Sequence, residues 1–290
     1  DFGQQADVVT IEIENVNVEA LYSLERQGKK VYPKPATLEI IQSKALQKQF
    51  YADNQFPSSP FKMFAHKPDW KDIETPCIWK ASRFGYDGFG VKKIETQSEW
   101  ESIPNVPCIL EYCVSIAKEI AVIVARNDRG ECVSYRPVEM EFHSQANQVE
   151  FVFTPSTLNE KQLADSQKLA EQVAHGLEHV GLLAVELFLS YEGALLVNEV
   201  APRPHNSGHL TIEAATTSQF EQHLRTILGL PFGDCQFFHN AIMVNLVGAK
   251  DFQGPVLYEG MDDLLNVSGL HVHLYGKAET RPMRKMGHIT

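Results

Sequence analysis

Two apolar runs of strand length, at 182–189 and 194–201, dominate the hydrophobic pattern in the second half of the chain. The turn-forming segment Ser-Tyr-Glu-Gly at 190–193 separates them, so the pattern predicts an antiparallel hairpin. Each run holds one carboxylate where an apolar residue is expected, Glu186 in the first and Glu199 in the second. Side chains on one strand face alternate with a period of two, so the hairpin can place these carboxylates opposite each other.

Two neighbouring carboxylates on a mostly buried surface predict a cation between them, because like charges repel and are costly to desolvate. Carboxylate oxygens suit Mg²⁺, which usually keeps several waters and bridges to substrate phosphates. Asn198, beside Glu199, adds a neutral oxygen at the same edge. The alternative interpretation is a solvent-facing hairpin in which both glutamates only keep the edge soluble.

Strand-length and helix-length patterns alternate along the rest of the chain, which is typical of an α/β fold. Further strands are predicted at 8–16, 30–32, 77–80, 91–94, 106–114, 119–126, 132–137, 241–248 and 271–277. Amphipathic helices are predicted at 18–27, 36–53, 159–180 and 211–228, the second with an apolar stripe of Leu38, Ile41, Ala45, Leu46 and Phe50.

Composition and charge exclude several classes of function. A net charge of -11 argues against a nucleic-acid groove, which needs a basic face. No apolar run approaches the roughly 18–20 residues that a membrane-spanning helix needs. The five cysteines form no C-x-x-C pair, and their odd number favours free thiols in a reducing compartment. The expectation is a cytoplasmic protein that binds neither nucleic acid nor membrane.

A loop that is dense in hydrogen-bond donors follows the second strand of the hairpin. Residues 201–209, Ala-Pro-Arg-Pro-His-Asn-Ser-Gly-His, place a guanidinium, two imidazoles, an amide and a hydroxyl between a strand and a helix. Two prolines stiffen this loop, and Gly208 allows a close turn of the backbone. A surface loop of this composition is usually a functional site.

This loop and the residues after it resemble the N5-carboxyaminoimidazole ribonucleotide synthetases, which are ATP-grasp ligases of purine biosynthesis. The matching segments are N-E-x-A-P-R-P-H-N-S-G-H at 198–209, T-I-E-A at 211–214 and S-Q-F-E-Q-H-L-R at 218–225. The resemblance implies an α/β (α+β) ATP-grasp fold with a Rossmann-like N-terminal domain, a small lid domain and a C-terminal catalytic domain. The expected boundaries are 1–57, 58–112 and 113–290.

The first of these domains is expected to be truncated. The family opens with a Gly-rich strand, turn and helix that the numbered sequence does not contain. The resemblance therefore places residue 1 several tens of residues into that domain, and it places the end of the chain short of the usual C-terminus.

A Gly-rich turn at 85–90 follows Lys80, and backbone N–H groups of such a turn can hold phosphate oxygens. The alternative interpretation is a turn without a ligand. The resemblance assigns this turn to ATP through Gly85, Gly88 and Gly90, and it assigns catalytic roles to Tyr86 and Asp87. Phe84 and Phe89 depart from the family pattern, and the loss of a basic residue at 89 puts one phosphate or bicarbonate contact in doubt.

Other ATP contacts are implied by the resemblance alone. Lys80 and Lys44 match basic residues near the phosphates, as His143 matches a histidine there. The strand end at Glu111, Tyr112 and Val114 is expected to lie along the adenine, with Glu111 at the exocyclic amine. Glu119 is expected at the ribose hydroxyls, and Asn198 and Glu199 at the phosphates. As isolated residues, the glutamates could equally be surface acids at strand ends.

Four cations lie within nine residues near the end of this acidic chain, at 277, 281, 284 and 285. Such a cluster suits a phosphate monoester, which Arg can bind in a bidentate manner. The alternative interpretation is a solvated basic turn. The resemblance assigns the substrate ribonucleotide to Lys277, Arg284, Lys285, Glu14 and Asn206.

The reaction implied by the resemblance joins ATP, bicarbonate and 5-aminoimidazole ribonucleotide to give N5-carboxyaminoimidazole ribonucleotide, ADP and phosphate through carboxyphosphate. Arg203 and His205 are the expected donors to bicarbonate, with ATP and Mg²⁺ as cofactors and a homodimer as the assembly. Two alternatives are another ATP-grasp carboxylate–amine ligase and a non-catalytic nucleotide-binding paralogue.

Overall fold

Antiparallel strand pairing gives the molecule its main layer. The computed structural model describes residues 2–83, 90–142 and 148–290. Its strands are β1 Val8–Val9, β2 Lys30–Val31, β3 Phe61–Phe64, β4 Cys77–Ala81, β5 Val91–Ile94, β6 Cys108–Tyr112, β7 Ile116–Arg126, β8 Cys132–Ser134, β9 Val138–Phe142, β10 Val149–Thr154, β11 Gly181–Ser190, β12 Leu195–Ala201, β13 Ala241–Val247, β14 Gly254–Pro255, β15 Val272–Leu274, β16 Glu279–Thr280 and β17 Lys285–Ile289. The helices are α1 Val18–Arg26, α2 Pro35–Ile41, α3 Lys44–Asp53, α4 Gln97–Ser102, α5 Glu160–Gly176, α6 Thr211–Ala214, α7 Gln219–Ile227 and α8 Met261–Leu265. None of the helices in these ranges is both long and apolar enough to cross a membrane.

A nine-stranded sheet runs in the order β12-β11-β7-β9-β10-β13-β17-β15, with β8 paired to β7. Strands β10 and β13 join the middle of the chain to its C-terminal part, with Phe151 opposite Val244. Strand β17 then pairs with β13, so Lys285, the first residue of β17, belongs to the same sheet as the carboxylate hairpin.

Period-two alternation along β11 determines which side chains reach the core. Leu183, Val185 and Leu187 are fully buried in the cluster that also contains the apolar face of α5. Each such side chain stabilises the fold by roughly 1.5–3 kcal/mol. The intervening residues, Leu182 and Ala184, pack into a second cluster on the opposite face of the sheet. Glu186 continues this second series and therefore points away from α5.

A four-stranded antiparallel sheet, β3-β6-β4-β5, forms a separate layer. Its core contains Trp79 and Leu110, packed with Trp100 of α4. Alternation places Lys80 of β4 and Glu111 of β6 on the face opposite to this core. The two residues are diagonal neighbours, because Lys80 pairs with Ile109 and Glu111 pairs with Ile78.

Two predicted helices are each divided in the structure. The helix predicted at 36–53 breaks at Gln42 and Ser43, where the Ser43 side chain caps α3 and the Lys44 N–H donates to the Ser82 carbonyl. The apolar stripe predicted for it fails beyond the break, since α3 buries Gln47, Lys48 and Tyr51 while Leu46 is 43% exposed. The helix predicted at 211–228 breaks between α6 and α7, where Ser218 caps α7.

The strand predictions succeed better in the middle of the chain than at its ends. The strand predicted at 8–16 is reduced to β1, which pairs in parallel with β2 as the strand–helix–strand pattern requires. Six strands were not predicted: β3, β9, β10, β14, β16 and β17.

Candidate active site

The hairpin formed by β11 and β12 places Glu186 and Glu199 directly opposite each other, as the sequence predicts. The register shifts beyond this pair, because Leu187 pairs with Val197. Asn198 is therefore an extra residue, a bulge of the kind that often re-aims side chains near active sites. The Glu186 side chain is only 12% exposed, which contradicts the alternative of a solvent-facing hairpin; that of Glu199 is 43% exposed.

The two carboxylates have opposite electrostatic environments. Burial, followed by the charges of Glu199 and Glu119, raises the pKa of Glu186. The ammonium of Lys44, 2.8 Å from Glu199 Oε2, lowers the pKa of Glu199. A divalent cation between the two carboxylates would favour the charged form of Glu186 and so offset both the burial and the repulsion that raise its pKa.

The donor set fits Mg²⁺ that is also bound by phosphate. Within the described ranges, no group of three or more His, Cys, Asp or Glu side chains could hold a metal ion by itself. Glu186 and Glu199 would therefore supply two of the ligands, and water or phosphate oxygens the others. Such partial protein ligation is usual for Mg²⁺ at nucleotide sites.

Lysines face this pair from two other elements. Lys44 lies at the first position of α3 and binds Glu199. Lys80 of the four-stranded sheet lies 2.8 Å from Glu111 Oε1, and its Nζ is 3.5 Å from the Asn198 side-chain oxygen. The structure thus brings together the two lysines predicted to contact the ATP phosphates.

Sequence reasoning missed a third lysine, Lys48, which is one turn after Lys44 on α3. Lys48 is 3% exposed and lies 3.4 Å from Glu111 Oε2. Glu111 thus has a lysine at each carboxylate oxygen, an arrangement that leaves it less suited to accept the adenine amine. That assignment of Glu111 stays a prediction.

The predicted adenine hinge coincides with the irregular residues between β6 and β7. The N–H of Tyr112 donates to the Pro60 carbonyl over 2.9 Å, so this group is already occupied. Val114 is half-buried. Burial and the charge of Glu199 raise the pKa of Glu119 to about 7, so its carboxyl group changes charge near neutral pH.

The loop at 201–209 joins the N-terminal part of the chain to the site. Arg203 Nε lies 2.9 Å from Glu14 Oε1, and Arg203 Nη1 donates to the Pro204 carbonyl over 3.0 Å. The structure therefore brings together a predicted catalytic residue and a predicted substrate-binding residue from distant parts of the sequence. The guanidinium has further N–H groups that could bind an anion.

His205 lies next to Glu186, with 3.7 Å between Nε2 and Oε1. The Ser207 backbone N–H donates to His205 Nδ1 over 3.3 Å, which assigns the proton of the neutral ring to Nε2. Burial, and then the charges of Arg203 and Lys285, lower the pKa of His205 to about 3. His205 is therefore a neutral donor directed towards the carboxylates.

Gln219, which sequence reasoning also missed, holds this loop in place. Its side-chain oxygen accepts from the His205 N–H over 2.9 Å, and its amide donates to the His205 carbonyl and to His209 Nδ1. Gly208 lies against the same amide, where a Cβ would come within 2.3 Å of the Gln219 oxygen. The fully buried Gln219 explains why only glycine fits at 208.

Asn206 is paired inside the protein. Its side-chain amide exchanges two hydrogen bonds with Asn245 of β13, at 2.7 and 2.9 Å, and only 8% of the residue is exposed. This pair connects the loop to the C-terminal strands. The predicted substrate contact of Asn206 is untested, and its observed role is structural.

The basic segment divides into two environments. Lys277 Nζ donates to the Lys285 carbonyl over 2.6 Å, and Arg284 donates to the Glu279 carbonyl on the exposed surface. The charge of Lys285 acts on the pKa values of both Glu186 and His205. Lys285 therefore lies close enough to Glu186 and His205 for its charge to act on both.

Some predicted site residues lie outside the described ranges: Gly85, Tyr86, Asp87, Gly88 and His143, together with Phe84 and Phe89. Gly90 is described, and its φ of 73° is one that favours glycine. Its carbonyl accepts from the Ala81 N–H over 2.8 Å, which closes the strand pair at the base of the Gly-rich turn.

Comparison with protein families accounts for most of the chain. The ATP-grasp domain matches residues 49–220, the ribonucleotide synthetase preATP-grasp domain matches 1–42, and the phosphoribosylaminoimidazole carboxylase C-terminal domain matches 241–290. The N5-carboxyaminoimidazole ribonucleotide synthase of Bacillus subtilis is 36% identical over 98% of this chain and 75% of that protein. This chain belongs to the ATP-grasp family of N5-carboxyaminoimidazole ribonucleotide synthetases.

Solved structures of N5-carboxyaminoimidazole ribonucleotide synthetases confirm the predicted fold. The Thermotoga maritima synthetase superposes with a TM-score of 0.91 and 41% identity, covering 99% of this chain and 76% of that one. An Aspergillus clavatus synthase, in complex with ADP and 5-aminoimidazole ribonucleotide, superposes with a TM-score of 0.88 and 28% identity, covering 99% and 77%. The chain spans about half the length of other curated relatives, 54% in two cases.

Proposed function

We propose that this chain carries out the ATP-dependent carboxylation of 5-aminoimidazole ribonucleotide by bicarbonate, giving N5-carboxyaminoimidazole ribonucleotide, ADP and phosphate. The observation that carries the proposal is the convergence of Glu186 and Glu199 with Lys44, Lys80 and the Arg203 loop. The Aspergillus relative, which binds ADP and the ribonucleotide, supports the same pair of ligands here.

ATP would bind with its phosphates between the lysines and the carboxylate pair. Lys80 and Lys44 would neutralise phosphate charge, and Glu186 and Glu199 would hold Mg²⁺. When bound, Mg²⁺ would screen the phosphate oxygens and orient the γ-phosphoryl group. Phosphoryl transfer depends mainly on such positioning and charge neutralisation.

Bicarbonate must be activated because its carbon is a poor electrophile. A bicarbonate oxygen would attack the γ-phosphorus while the bond to ADP breaks, giving carboxyphosphate. The substrate amine would then attack the carboxyl carbon, directly or after CO₂ release, with loss of phosphate and of one amine proton. Arg203 and the Nε2–H of His205 would donate to the oxyanion during these steps.

The ribonucleotide would lie on the side of the Arg203 loop that contacts Glu14. The basic residues Lys277 and Arg284 would bind its 5′-phosphate, and Lys285 would lie nearer to the reacting groups. The position of Lys285 supports this division, because its charge acts on Glu186 and His205. The hydrogen bonds of Asn206 to Asn245 would hold the loop against β13.

The division of the basic segment gives a kinetic prediction. Lys277→Met and Arg284→Met should raise the KM of the ribonucleotide about ten- to a hundredfold, because each removes a charged phosphate partner. Lys285→Met should mainly lower kcat, with smaller changes in KM. Steady-state kinetics with ATP and ribonucleotide varied separately would measure this. Lys250→Met, on the exposed surface nearby, is the control; equal effects on both substrates would contradict the division.

The organisation around the site is part of the same proposal. We propose three units at 1–57, 58–112 and 113–290, the middle one corresponding to the four-stranded sheet. A homodimer and a cytoplasmic location complete the proposal.

The proposed activity can be tested by ADP release with ATP, bicarbonate or ribonucleotide omitted in turn. The proposal predicts product only in the complete mixture. Activity with a different amine or carboxylate would favour another ligase of this superfamily. Nucleotide binding without any turnover would favour a non-catalytic paralogue.

A further inference from the structure

Lys48 occupies an unusual position for a lysine. It lies on the buried face of α3 with Gln47 and Tyr51, and only 3% of the residue is exposed. Its ammonium is 3.4 Å from Glu111 and 5.9 Å from the centre of the Phe61 ring. Among the described residues, Lys48 Nζ has no hydrogen-bond partner of good geometry. A buried ammonium costs free energy of folding unless it is paired and hydrogen-bonded, and Lys48 is only partly so.

The charges around Lys48 do not balance. Three ammonium groups, of Lys44, Lys48 and Lys80, face two carboxylates, of Glu199 and Glu111. Burial and the charges of Glu199 and Glu119 raise the pKa of the neighbouring Glu186 and so favour its neutral form. Lys44 is matched by Glu199, so Lys48 and Lys80 compete for the single charge of Glu111. The cluster therefore keeps one positive charge in excess only while Lys48 is protonated.

The groups that face Lys48 set how easily it loses that proton. Burial lowers the pKa of Lys48, and the negative charge of Glu111 of β6 partly opposes this effect. The positive charges of Lys80 of β4 and of Lys44 of the same helix lower the pKa further, and the net result is a pKa of about 8. The neighbour from β3 is the uncharged ring of Phe61. The excess charge is therefore present at neutral pH and is lost in mildly alkaline solution.

We propose that Lys48 is a positioning residue of the nucleotide site. Its charge offsets the negative charge of Glu111, so that Lys80 presents a net positive charge to the phosphates. Nucleotide binding is then accompanied by uptake of a proton at Lys48. This inference rests on the proposed function, since it requires phosphates beside Lys80. Negative phosphates stabilise the charged form of Lys48, so binding raises the pKa of Lys48. By linkage, nucleotide affinity must fall as the pH rises through the pKa of Lys48 in the free protein.

The test is calorimetric titration with ADP, because direct binding does not depend on turnover. For the wild type, the dissociation constant should be about tenfold higher at pH 9.5 than at pH 7. Titrations at pH 8.5 in buffers of different ionisation enthalpy should show proton uptake. Lys48→Met should bind ADP about tenfold more weakly at pH 7, and it should show a smaller alkaline loss of affinity and less proton uptake than the wild type.

Two control variants separate charge from packing. Lys161→Met removes an exposed lysine of α5 and should behave as the wild type. Lys48→Arg keeps the charge at high pH, so its affinity should decline less above pH 8. Glu119 and Glu186 also titrate in this cleft, and the difference between wild type and Lys48→Met excludes their contribution.

The outcomes distinguish this inference from the proposed function. Wild-type protein that fails to bind ADP would overturn the proposed function itself. Wild-type affinity that stays constant from pH 7 to 9.5 would overturn the role of Lys48, even if the variants did not fold. Equal proton uptake by Lys48→Met and wild type would do the same.

Discussion

Replacing Glu186 or Glu199 with glutamine should lower turnover by at least about a thousandfold and leave the fold intact. Each variant removes a negative oxygen from the only directly opposed carboxylate pair of the hairpin, and Mg²⁺ at a nucleotide site depends on such charge. Measurement of ADP release at saturating substrates would show the loss. Near-normal turnover of both variants would reject the assignment of the metal to this pair.

Thermal unfolding provides the control for this prediction. Glu186→Gln should unfold at an equal or higher temperature than the wild type without metal, because it removes a buried group whose charge is repelled by Glu199 and Glu119. Glu192 lies exposed in the turn of the same hairpin, so Glu192→Gln should retain full activity. A large loss of stability in Glu186→Gln would attribute its inactivity to misfolding instead.

Arg203→Lys should lower kcat about a hundredfold or more while the affinity for ADP changes little. The guanidinium is held by Glu14 and by the Pro204 carbonyl, and its remaining N–H groups are the donors expected at the bicarbonate oxyanion. Lysine keeps the charge but cannot reproduce this fixed geometry. Steady-state turnover and ADP titration on the same preparation would separate the two effects.

The matched control is Arg225→Lys, because Arg225 forms a surface pair with Glu221 one helical turn away. It should leave kcat unchanged. If Arg203→Lys instead weakened ADP binding and kept kcat, Arg203 would belong to the nucleotide site. The oxyanion assignment would then be wrong.

The hairpin was the most predictable part of this site. The turn between two apolar runs predicts that the strands pair and that Glu186 and Glu199 can face each other, but a register continued without a shift from Leu189 opposite Leu195 would place Glu186 opposite Asn198. The bulge at Asn198 is what brings Glu199 opposite Glu186. The bulge at Asn198 could not be predicted in this way, because one extra residue leaves no mark on an apolar pattern. Its consequence, an amide oxygen directed to Lys80, required the structure.

Lys48 and Gln219 were not predicted because their sequence signal is that of surface residues. Polar residues in an amphipathic helix normally mark its solvent face, yet both side chains are buried and satisfy partners from distant segments. The continuous apolar pattern at 36–53 likewise concealed the break at Ser43. That break turns Lys48 inward and leaves Leu46 exposed.

The basic segment illustrates a third limit. Its composition predicts an anion site, but adjacent cations on an extended chain face different directions. The pairing of β13 with β17 brings Lys285 into the sheet that holds the carboxylates, whereas the Arg284 guanidinium donates to the Glu279 carbonyl at an exposed position. The sequence therefore indicates the ligand class and not the role of each cation.

Oxygen transfer tests the central claim most directly. In the complete reaction with ¹⁸O-labelled bicarbonate, sampled before the label exchanges with water, phosphate should carry one bicarbonate oxygen per ADP formed. That oxygen is the one that attacks the γ-phosphorus, and it leaves with phosphate when the carboxyl carbon is transferred or released. Phosphate containing only solvent oxygen, formed at the same rate as ADP, would show that water attacks ATP and would contradict carboxylation through carboxyphosphate.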